Sequence, residues 1–448
     1  MDIYMPPYVE AVINRLEDSG FEAYIVGGCV RDSLLGKEPK DYDITTSASP
    51  EQIKECFSDS TVIETGIKHG TVTVVSDGNN IEVTTFRVDG DYTDHRHPSS
   101  VEFSDKLVDD LLRRDFTINS MAYNHRTGII DKFGAQRDLF RRVISCVGEP
   151  AVRFNEDALR IMRALRFSAE LGFEIDEITT LAIHDMKRLL KNVSAERIAK
   201  ELMLLLTGSS PYKTLTEFAD VFAVIIPEIK PCIGFDQHSR YHVYDVWEHT
   251  AASIEHSKPD PNVRLALLLH DIAKPQCFKL DDEGNGHFFN HEKLSAEMAE
   301  QILHDLKMPS AVIKRVTKLI KYHYVTPVDD VKVVKRLLSA VGEEDFPLLI
   351  EVMKGDNKAK QSFCFERVQT LDTMQVRARE IIEQNQCVKV SDLTVDGNDM
   401  LKIGFSGKGV GEILDVLLNE VIEENISNTR SSLLEFAEKY YAENACKA

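Results

Sequence analysis

Two aspartates near the start of the chain have the spacing of a metal-binding carboxylate pair. Asp41 and Asp43 are separated by one residue in a predicted strand, so both side chains are expected to point to the same face. Carboxylates in this arrangement can bridge two divalent ions such as Mg²⁺, which prefer oxygen ligands. Two bridged ions stabilise the attacking and leaving oxygens of an in-line phosphoryl displacement. Glu82, or another acid of the predicted strand 81–87, is the expected third carboxylate.

A double glycine lies upstream of these acids. Gly27 and Gly28 follow the strand-like segment 21–26 and come before a short predicted helix, 30–35. Backbone N–H groups at such a turn are open to the phosphates of a nucleotide. A lone Asp-x-Asp or Gly-Gly usually marks a strand end or a turn. Strand, double glycine, helix and paired aspartates occur here in the order that nucleotidyl transfer requires, and this order predicts that reaction.

A second set of residues with metal-binding side chains lies between positions 240 and 360. It comprises His242, His249, His270, Asp271, His291, His323 and Asp356. His-Asp dipeptides occur at 184–185, 270–271 and 304–305, but only the middle one follows a long apolar run, 265–269, and has His249 upstream. Imidazoles and carboxylates that converge from different helices suit a borderline divalent metal. The alternative is a helical scaffold with hydrogen-bonded core histidines.

The first third of the chain contains the elements that must position the aspartates and glycines. Segments rich in Val, Thr and Ile predict strands at 21–26, 41–45, 61–64, 71–75 and 81–87. A helix is predicted over 8–18, and the turn-forming residues of 76–80 predict a hairpin loop. Strands mixed with helices and hairpins predict an α/β head with a mixed sheet over residues 1–150.

The remaining two thirds of the chain are predicted to be helical. Apolar residues recur at intervals of three and four in segments 156–171, 194–207 and 295–306. Clusters of proline and glycine separate these segments. We predict an all-helical neck over 151–230, an all-helical body over 231–360 and an all-helical tail over 361–448.

Composition limits the class of protein and its compartment. The 448 residues carry a net charge of −20, which argues against a chain that coats nucleic acid over its whole surface, although a local basic groove still attracts phosphate. The eight cysteines form no Cys-x-x-Cys pair, so neither a zinc ribbon nor a disulfide framework is expected. The amino terminus does not resemble a secretory signal, and no apolar run approaches the roughly 20 residues needed to span a bilayer. A cytoplasmic protein with no membrane partner is therefore expected.

Several stretches resemble the class II tRNA nucleotidyltransferases, also called CCA-adding enzymes, and the related bacterial poly(A) polymerases. They are residues 27–32 (GGCVRD), 40–44 (KDYDI), 87–98, 110–122, 153–167 and 194–198. The resemblance implies a nucleotidyltransferase head with a polymerase β-like mixed sheet, catalysis at Asp41 and Asp43 with two Mg²⁺ ions, and the partners tRNA, CTP and ATP. The implied nucleotide-binding residues are Gly27, Gly28, Arg31, Arg113, Arg114, Asp115, Asn119, Asp157, Arg160, Arg163 and Arg166.

Asp157 and Arg160 have the chemistry to select a base. They are three residues apart in a predicted helix and are expected to share a face, where a simple ion pair is the ordinary interpretation. A carboxylate accepts from an exocyclic amino group, and a guanidinium donates to a ring nitrogen. Cytosine and adenine present these groups, whereas uracil and guanine would place a carbonyl against the carboxylate. The resemblance implies the same role, selection of CTP and ATP without a nucleic-acid template.

The segment 87–103 bears on the product. It resembles a loop that accompanies the change from C to A addition, and the corresponding residues Asp89, Gly90, Asp94 and Arg96 are present. This favours complete C-C-A addition or A addition over C-C addition alone. An A-adding tRNA enzyme and a poly(A) polymerase remain the alternatives within the class.

The region 231–360 resembles an HD domain, a family of metal phosphohydrolases. The matching residues are His249, His270, Asp271 and Asp356, although Asp329 and Asp330 compete for the last position. This implies a further divalent metal and the alternative function of a phosphohydrolase acting on cyclic or terminal RNA phosphates. The tail resembles a tRNA-binding region, in which the glycine-rich segment 407–411 opens a predicted helix. The oligomeric state is left open.

Overall fold

The computed structural model describes residues 3–90 and 100–445, and the chain divides between Lys230 and Pro231 into two compact units. The strands of the first unit are β1 (Ala23–Val26), β2 (Asp43–Thr46), β3 (Val62–Gly66), β4 (Thr71–Ser76), β5 (Asn79–Thr85), β6 (Arg87–Asp89), β7 (Val101–Phe103), β8 (Met121–Asn124), β9 (Gly128–Asp131), β10 (Val143–Ile144) and β11 (Glu174–Ile175). Its helices are α1 (Pro7–Asp18), α2 (Gly28–Leu34), α3 (Pro50–Cys56), α4 (Leu107–Leu112), α5 (Ala135–Arg141), α6 (Pro150–Glu156), α7 (Leu159–Leu171), α8 (Glu177–Met186), α9 (Ala195–Leu206), α10 (Pro211–Glu217) and α11 (Ala219–Ile225).

The head contains the mixed sheet that the sequence predicted. Its seven strands follow the order β3-β4-β5-β2-β1-β8-β9, in which β2 and β5 are parallel and the other neighbours are antiparallel. All four residues of β1 are buried, because this strand lies inside the sheet beside β2 and β8. Asp77 and Gly78 both have positive φ and form the predicted hairpin turn between β4 and β5.

The strand that was predicted to carry both Asp41 and Asp43 begins later than expected. β2 starts at Asp43, so Asp41 lies in the preceding loop and not on the strand. The expectation that strand alternation places both side chains on one face was therefore wrong for Asp41. Asp41 nevertheless lies close enough to raise the pKa of Asp43 by like-charge repulsion.

Helices form most of residues 150–230. In α7, ten of thirteen residues are buried, and the helix ends at Gly172, whose φ of 66° is a left-handed conformation that glycine adopts without strain. Helix α9 packs against α7 through a face that includes Ile198, Leu202 and Leu205. The prediction of a purely helical region was wrong in one detail, since β11 adds a two-residue parallel ladder to β10.

The second unit is also mainly helical. Its helices are α12 (Val246–Glu255), α13 (Pro261–Leu269), α14 (Lys274–Cys277), α15 (His291–Asp305), α16 (Ser310–Tyr322), α17 (Val331–Val341), α18 (Phe346–Lys358), α19 (Phe365–Glu383), α20 (Gly397–Ile403), α21 (Lys408–Ile422) and α22 (Arg430–Ala445). One short hairpin, β12 (Phe278–Leu280) with β13 (Gly286–Phe288), was not predicted. The alternation that would reveal it is only three residues long on each side, too short to distinguish from a loop.

Helices α13 and α18 form the centre of this unit. Seven of the nine residues of α13 and ten of the thirteen residues of α18 are buried, and the two helices contact each other. Asp260 begins α13 as an N-cap by accepting from the backbone N–H groups of Asn262 and Val263. Within residues 3–90 and 100–445, no helix combines the length and apolar character needed to cross a bilayer.

Candidate active site and histidine cluster

Asp43 and Glu82 are direct neighbours on the parallel strands β2 and β5. The desolvation of Asp43 by the surrounding protein, and then the charge of Glu82, raise the pKa of Asp43 to about 6, although Arg114 opposes this shift. Solvent still reaches the Asp43 carboxylate at the first residue of the strand. We call Asp41, Asp43 and Glu82 the carboxylate cluster. The negative charges of the three carboxylates repel one another, and a bound divalent cation would relieve that repulsion. These residues therefore fit such an ion.

Gly27 allows an arginine to approach the carboxylate cluster. A Cβ atom at Gly27 would lie 3.0 Å from Nη1 of Arg114, and its φ of 82° is unfavourable for any side chain. The N–H of Gly27 donates to the carbonyl of Met121 at 3.2 Å, so this donor is engaged within the protein. The expectation of an open N–H was therefore wrong for Gly27, which instead lets Arg114 approach closely. Gly28 begins α2.

Asp110 orients both arginines that follow α4. Its Oδ1 accepts from Arg113 at 2.6 Å and its Oδ2 accepts from Arg114 at 3.2 Å, while the Asp110 side chain is fully buried. Burial alone would raise the pKa of Asp110, but the charges of Arg114 and Arg113 outweigh it and lower that pKa. Asp110 was not predicted from the sequence to be a site residue. Its signal is the spacing of three and four residues to the arginines on one helical face.

A buried network connects the head to α7. Arg31 donates to Oδ1 of Asn119 at 2.7 Å, and Asn119 donates to Oδ1 of Asp115 at 3.3 Å. Arg163 of α7 then pairs with Oδ2 of Asp115 through both Nε and Nη2, at 2.7 and 2.6 Å. Burial would raise the pKa of Asp115, but Arg163 and Arg160 outweigh it and bring the pKa to about 2. These expected nucleotide-binding residues therefore bond one another and hold the head against α7.

Asp157 lies in a break between two helices. Helix α6 ends at Glu156 and α7 begins at Leu159, so the expectation of a shared face on one continuous helix was wrong. The Oδ1 of Asp157 accepts from the N–H of Leu159 at 3.1 Å, and its Oδ2 accepts from Nη2 of Arg197 at 2.8 Å. Asp157 is thus held from α9, at a distance of 40 residues along the chain.

Arg160 is held by different groups. Its Nη1 donates to Oε2 of Glu156 at 2.5 Å and to the carbonyl of Arg153 at 3.2 Å. Its Nη2 donates to the carbonyl of Arg113 at 2.9 Å, which ties it to the head. The ordinary Asp157–Arg160 ion pair is therefore not the arrangement in this structure.

Glu201 on α9 completes the network around α7. Its Oε2 lies 2.7 Å from Nε of Arg166, and its Oε1 lies 4.0 Å from Nη1 of Arg163. Neither Arg197 nor Glu201 was predicted from the sequence to have a role at the site. Their spacing of four residues on α9 places them on one face, which is the signal that could have paired them with α7.

In the second unit, six buried side chains converge. They are His249, His270, Asp271, His291, His323 and Asp356, which we call the histidine cluster. Nε2 of His249 lies 3.0 Å from Oδ1 of Asp356 and 3.5 Å from Oδ2 of Asp271, and Nε2 of His291 lies 3.3 Å from Oδ1 of Asp271. Two subsets of this cluster, His249–His270–Asp271 and Asp271–His291–His323, each place three ligand atoms within 4.8 Å of one another.

Three of these histidines are oriented by a hydrogen bond from Nδ1 to a backbone carbonyl. Nδ1 of His270, His291 and His323 lies 2.7, 2.8 and 2.6 Å from a backbone carbonyl, which can only accept, so Nδ1 carries the proton. In the neutral ring Nε2 is then a lone-pair donor, and Nε2 of His270 and of His291 is buried at 3.2 and 3.3 Å from a carboxylate oxygen of Asp271. Burial would lower the pKa of His270, but the charge of Asp271 outweighs it and raises that pKa to about 9. Backbone hydrogen bonds of this kind orient metal-ligating histidines, and the donor set fits a divalent metal.

Asp329 and Asp330, the alternatives to Asp356 as the last residue of the HD pattern, have partners outside the histidine cluster. Asp329 pairs with Arg377 at 2.5 Å, and Asp330 accepts from the backbone N–H groups at the start of α17. Two lysines contact the cluster instead: Nζ of the buried Lys274 is 2.6 Å from Asp271, and Nζ of the partly buried Lys360 is 2.6 Å from Asp356. His291, His323, Asp356 and both lysines line a cavity of about 800 Å³. Neither lysine was predicted to lie at this site, because neither belongs to a sequence motif that would distinguish it from a surface lysine.

Known proteins resemble this chain along its whole length. Residues 23–145 match the family described as the poly A polymerase head domain, and residues 287–437 match the one described as tRNA nucleotidyltransferase domain 2. Residues 172–233 match the family described as "Probable RNA and SrmB-binding site of polymerase A". The CCA-adding enzyme of Leuconostoc mesenteroides is 33% identical over 434 residues, which are 96% of each chain.

A second relative and a solved structure are similar to this chain as well. The CCA-adding enzyme of Geobacillus kaustophilus is 48% identical over 217 residues, 48% of this chain and 53% of the relative. The crystal structure of the Bacillus stearothermophilus CCA-adding enzyme in complex with CTP superposes with a TM-score of 0.73 at 27% identity, covering 99% of this chain and 100% of that one.

Proposed function

The chain belongs to the family of CCA-adding enzymes, and we propose that it adds C, C and A in turn to the 3′ end of tRNA from CTP and ATP. The single observation that carries the chemistry is the register of β2 and β5, which sets Asp43 opposite Glu82 and beside Arg114. The likeness over 96% of both chains supports the choice of product.

In the proposed reaction, the 3′-hydroxyl oxygen of the RNA attacks the α-phosphorus of the nucleotide. A new O–P bond forms, the bond to the bridging oxygen of the β-phosphate breaks, pyrophosphate leaves, and the hydroxyl proton passes to solvent. Asp41, Asp43 and Glu82 would hold the cations, for which we propose Mg²⁺ because all the ligands are carboxylate oxygens. When bound, such ions acidify the attacking hydroxyl and neutralise charge on the leaving oxygens.

The protein residues bind and orient the nucleotide. Arg114 approaches the carboxylate cluster over Gly27, where its charge is placed to meet a phosphate. Asp157 and Arg160 would read the base, with Asp157 accepting from the amino group of cytosine or adenine and Arg160 donating to the ring nitrogen. Both are ordered by neighbours before any nucleotide binds, which lowers the cost of recognition.

The 87–103 segment supports addition of the final A. Its two ends form a short antiparallel ladder, with Arg87 opposite Phe103 and Asp89 opposite Val101. The two other residues of this prediction, Asp94 and Arg96, lie outside the described residues. We propose that the enzyme works in the cytoplasm, since the seven cysteines in the described part are unpaired, as in a reducing compartment.

The proposed product is tested with three tRNA substrates that end at the discriminator base, at C and at C-C. Labelled CTP should be incorporated by the first two, and labelled ATP by the third, with growth stopping at C-C-A. Addition of A alone to the C-C end would instead identify an A-adding enzyme, and long adenylate tails would identify a poly(A) polymerase. The readout is product length at single-nucleotide resolution.

The histidine cluster favours a second candidate function. We propose that it holds a divalent metal and hydrolyses phosphate esters at RNA ends, as the HD-domain resemblance implied. In this reaction water attacks the phosphorus, the ester P–O bond breaks, and the leaving alkoxide takes a proton. Lys274 and Lys360 line the adjoining cavity, where their charges would offset those of a phosphate. The supporting observation is the convergence of the buried Nε2 atoms of His270 and His291 on the carboxylate of Asp271, at 3.2 and 3.3 Å, in a cluster that brings three ligand atoms within 4.8 Å of one another.

His270→Ala tests this second function, with His304→Ala as the matched control, because His304 belongs to an exposed His-Asp pair. After dialysis against Mn²⁺, the wild type and the control should retain more metal per chain than His270→Ala. Only the first two should release phosphate from an RNA with a terminal phosphate, or open a terminal 2′,3′-cyclic phosphate. Equal metal content and equal hydrolysis in all three proteins would reject the proposal.

A further inference from the structure

Arg197 is the cationic partner of Asp157. It lies on α9 and donates through Nη2 to Oδ2 of Asp157 at 2.8 Å. The other oxygen of Asp157 accepts from the N–H of Leu159 at 3.1 Å. Each carboxylate oxygen therefore has one donor, the first from the start of α7 and the second from α9, and the two contacts together fix the orientation of the carboxylate. Each oxygen retains acceptor capacity for one more donor.

The backbone of Asp157 is hydrogen-bonded to Arg153 and Arg160, but it is not helical, so its side chain depends on its own contacts for orientation. The residue has φ −137° and ψ 104°, an extended conformation between the end of α6 and the start of α7. Helical backbone restricts the rotamers of a side chain, and Asp157, at the end of α6, lacks that restriction. Without Arg197, the hydrogen bond to Leu159 alone would let the carboxylate rotate about that contact.

The two groups proposed to read the base are anchored independently. Arg160 is held by Glu156 and by the carbonyls of Arg153 and Arg113, and none of these contacts involves α9. Loss of Arg197 would loosen the acceptor that faces the amino group and leave the guanidinium donor in place. The consequence is selective, because uracil and guanine are rejected by a fixed carboxylate that faces their carbonyl oxygen.

We propose that Arg197 is a positioning residue for base selection, which acts by fixing the carboxylate of Asp157. This inference rests on the proposed base-reading role of Asp157. The side chains of Arg197 and Asp157 remain 26% and 20% exposed, so water partly screens the ion pair and its loss is expected to cost only modest stability. The Arg197→Gln protein should therefore fold, and its defect should appear in fidelity.

The experiment compares the wild type with Arg197→Gln, Arg197→Lys, Asp157→Ala and the control Lys200→Gln, an exposed position on the same helix. The readout is the kcat/KM for UTP relative to CTP at a C end, and for GTP relative to ATP at a C-C end. Arg197→Gln should raise both ratios about tenfold, equivalent to ~1.4 kcal/mol of lost discrimination. Arg197→Lys should restore part of the discrimination because it retains the charge, and Lys200→Gln should match the wild type.

Two outcomes would overturn the inference. If Asp157→Ala changes the ratios but Arg197→Gln does not, Arg197 does not position the base-reading carboxylate. A uniform fall in kcat/KM for all four nucleotides in Arg197→Gln, at constant ratios, would likewise show a general structural role. If Asp157→Ala also leaves the ratios unchanged, the proposed base-reading role fails, and the inference about Arg197 fails with it.

Discussion

Replacing Asp43 with asparagine is expected to reduce addition of both C and A by roughly 10³-fold or more. The side chain keeps its shape but loses the charge that would hold the catalytic cations, and such ions supply several kcal/mol of transition-state stabilisation at about 1.36 kcal/mol per tenfold in rate. Asp41→Asn should have an effect in the same direction. The measurement is single-turnover incorporation of labelled CTP and ATP into tRNA, with tRNA binding checked separately by filter retention.

The control for this prediction is His270→Ala, which changes the histidine cluster of the second unit and should leave nucleotide addition intact. If Asp43→Asn kept its activity while His270→Ala lost it, the chemistry would belong to the histidine cluster, and the head would serve only to bind RNA. The two variants therefore separate the nucleotidyltransferase from a hydrolase that uses the head for docking.

The pH dependence follows from the same carboxylate. Desolvation by the surrounding protein and the charge of Glu82 raise the pKa of Asp43 to about 6, so the free enzyme protonates this group as the pH falls through 6. A proton and a divalent cation compete for the carboxylate, and nucleotide addition should weaken below that pH. Raising the Mg²⁺ concentration should move the acidic limb of the rate profile to lower pH. An acidic limb that does not respond to Mg²⁺ would place the titrating group elsewhere.

Asp157→Ala is expected to raise incorporation of UTP and GTP relative to CTP and ATP by roughly 100-fold. The carboxylate accepts a hydrogen bond from the amino group of cytosine or adenine, whereas it would face the carbonyl oxygen of uracil or guanine, which is also an acceptor. A site built to hydrogen-bond one polar group of its substrate discriminates against bases that lack this group by about 100-fold or more. The absolute rate with CTP and ATP should fall, because a favourable hydrogen bond is also lost. Steady-state kcat/KM values for the four nucleotides provide the measurement.

A matched control for this variant is Asp185→Ala, an exposed aspartate of α8 whose removal alters no contact of the proposed site. It should keep the wild-type preference for CTP and ATP. Unchanged preference in Asp157→Ala itself would show that the base is selected by other groups, and the hydrogen-bonding explanation of template-free C and A addition would have to be abandoned.

Much of the head was accessible from the sequence because its signals are local. Period-two runs of Val, Thr and Ile identify the strands, and Asp77-Gly78 identifies a hairpin whose partners need only fold back on each other. The acid on the neighbouring strand, Glu82, was expected near the aspartates and lies opposite Asp43. The wrong assignment of Asp41 to a strand also has a local cause. Strand ends are the least certain part of a sequence pattern, and β2 begins two residues after its predicted start at Asp41.

The contacts that orient the side chains were decided by tertiary structure. Asp157 and Arg160 were identified from residue type and spacing. Their hydrogen-bond partners come from α9 and from the head, and the sequence pattern does not predict the packing that brings these elements together. His249 and Asp356 are 107 residues apart and meet only because α12 and α18 pack together. Sequence alone therefore determined which residue types were available for nucleotidyl transfer and in which elements they lie. The folded chain decided which of them face one another, because burial and close packing bring distant helices to contacts of about 3 Å, within hydrogen-bonding reach.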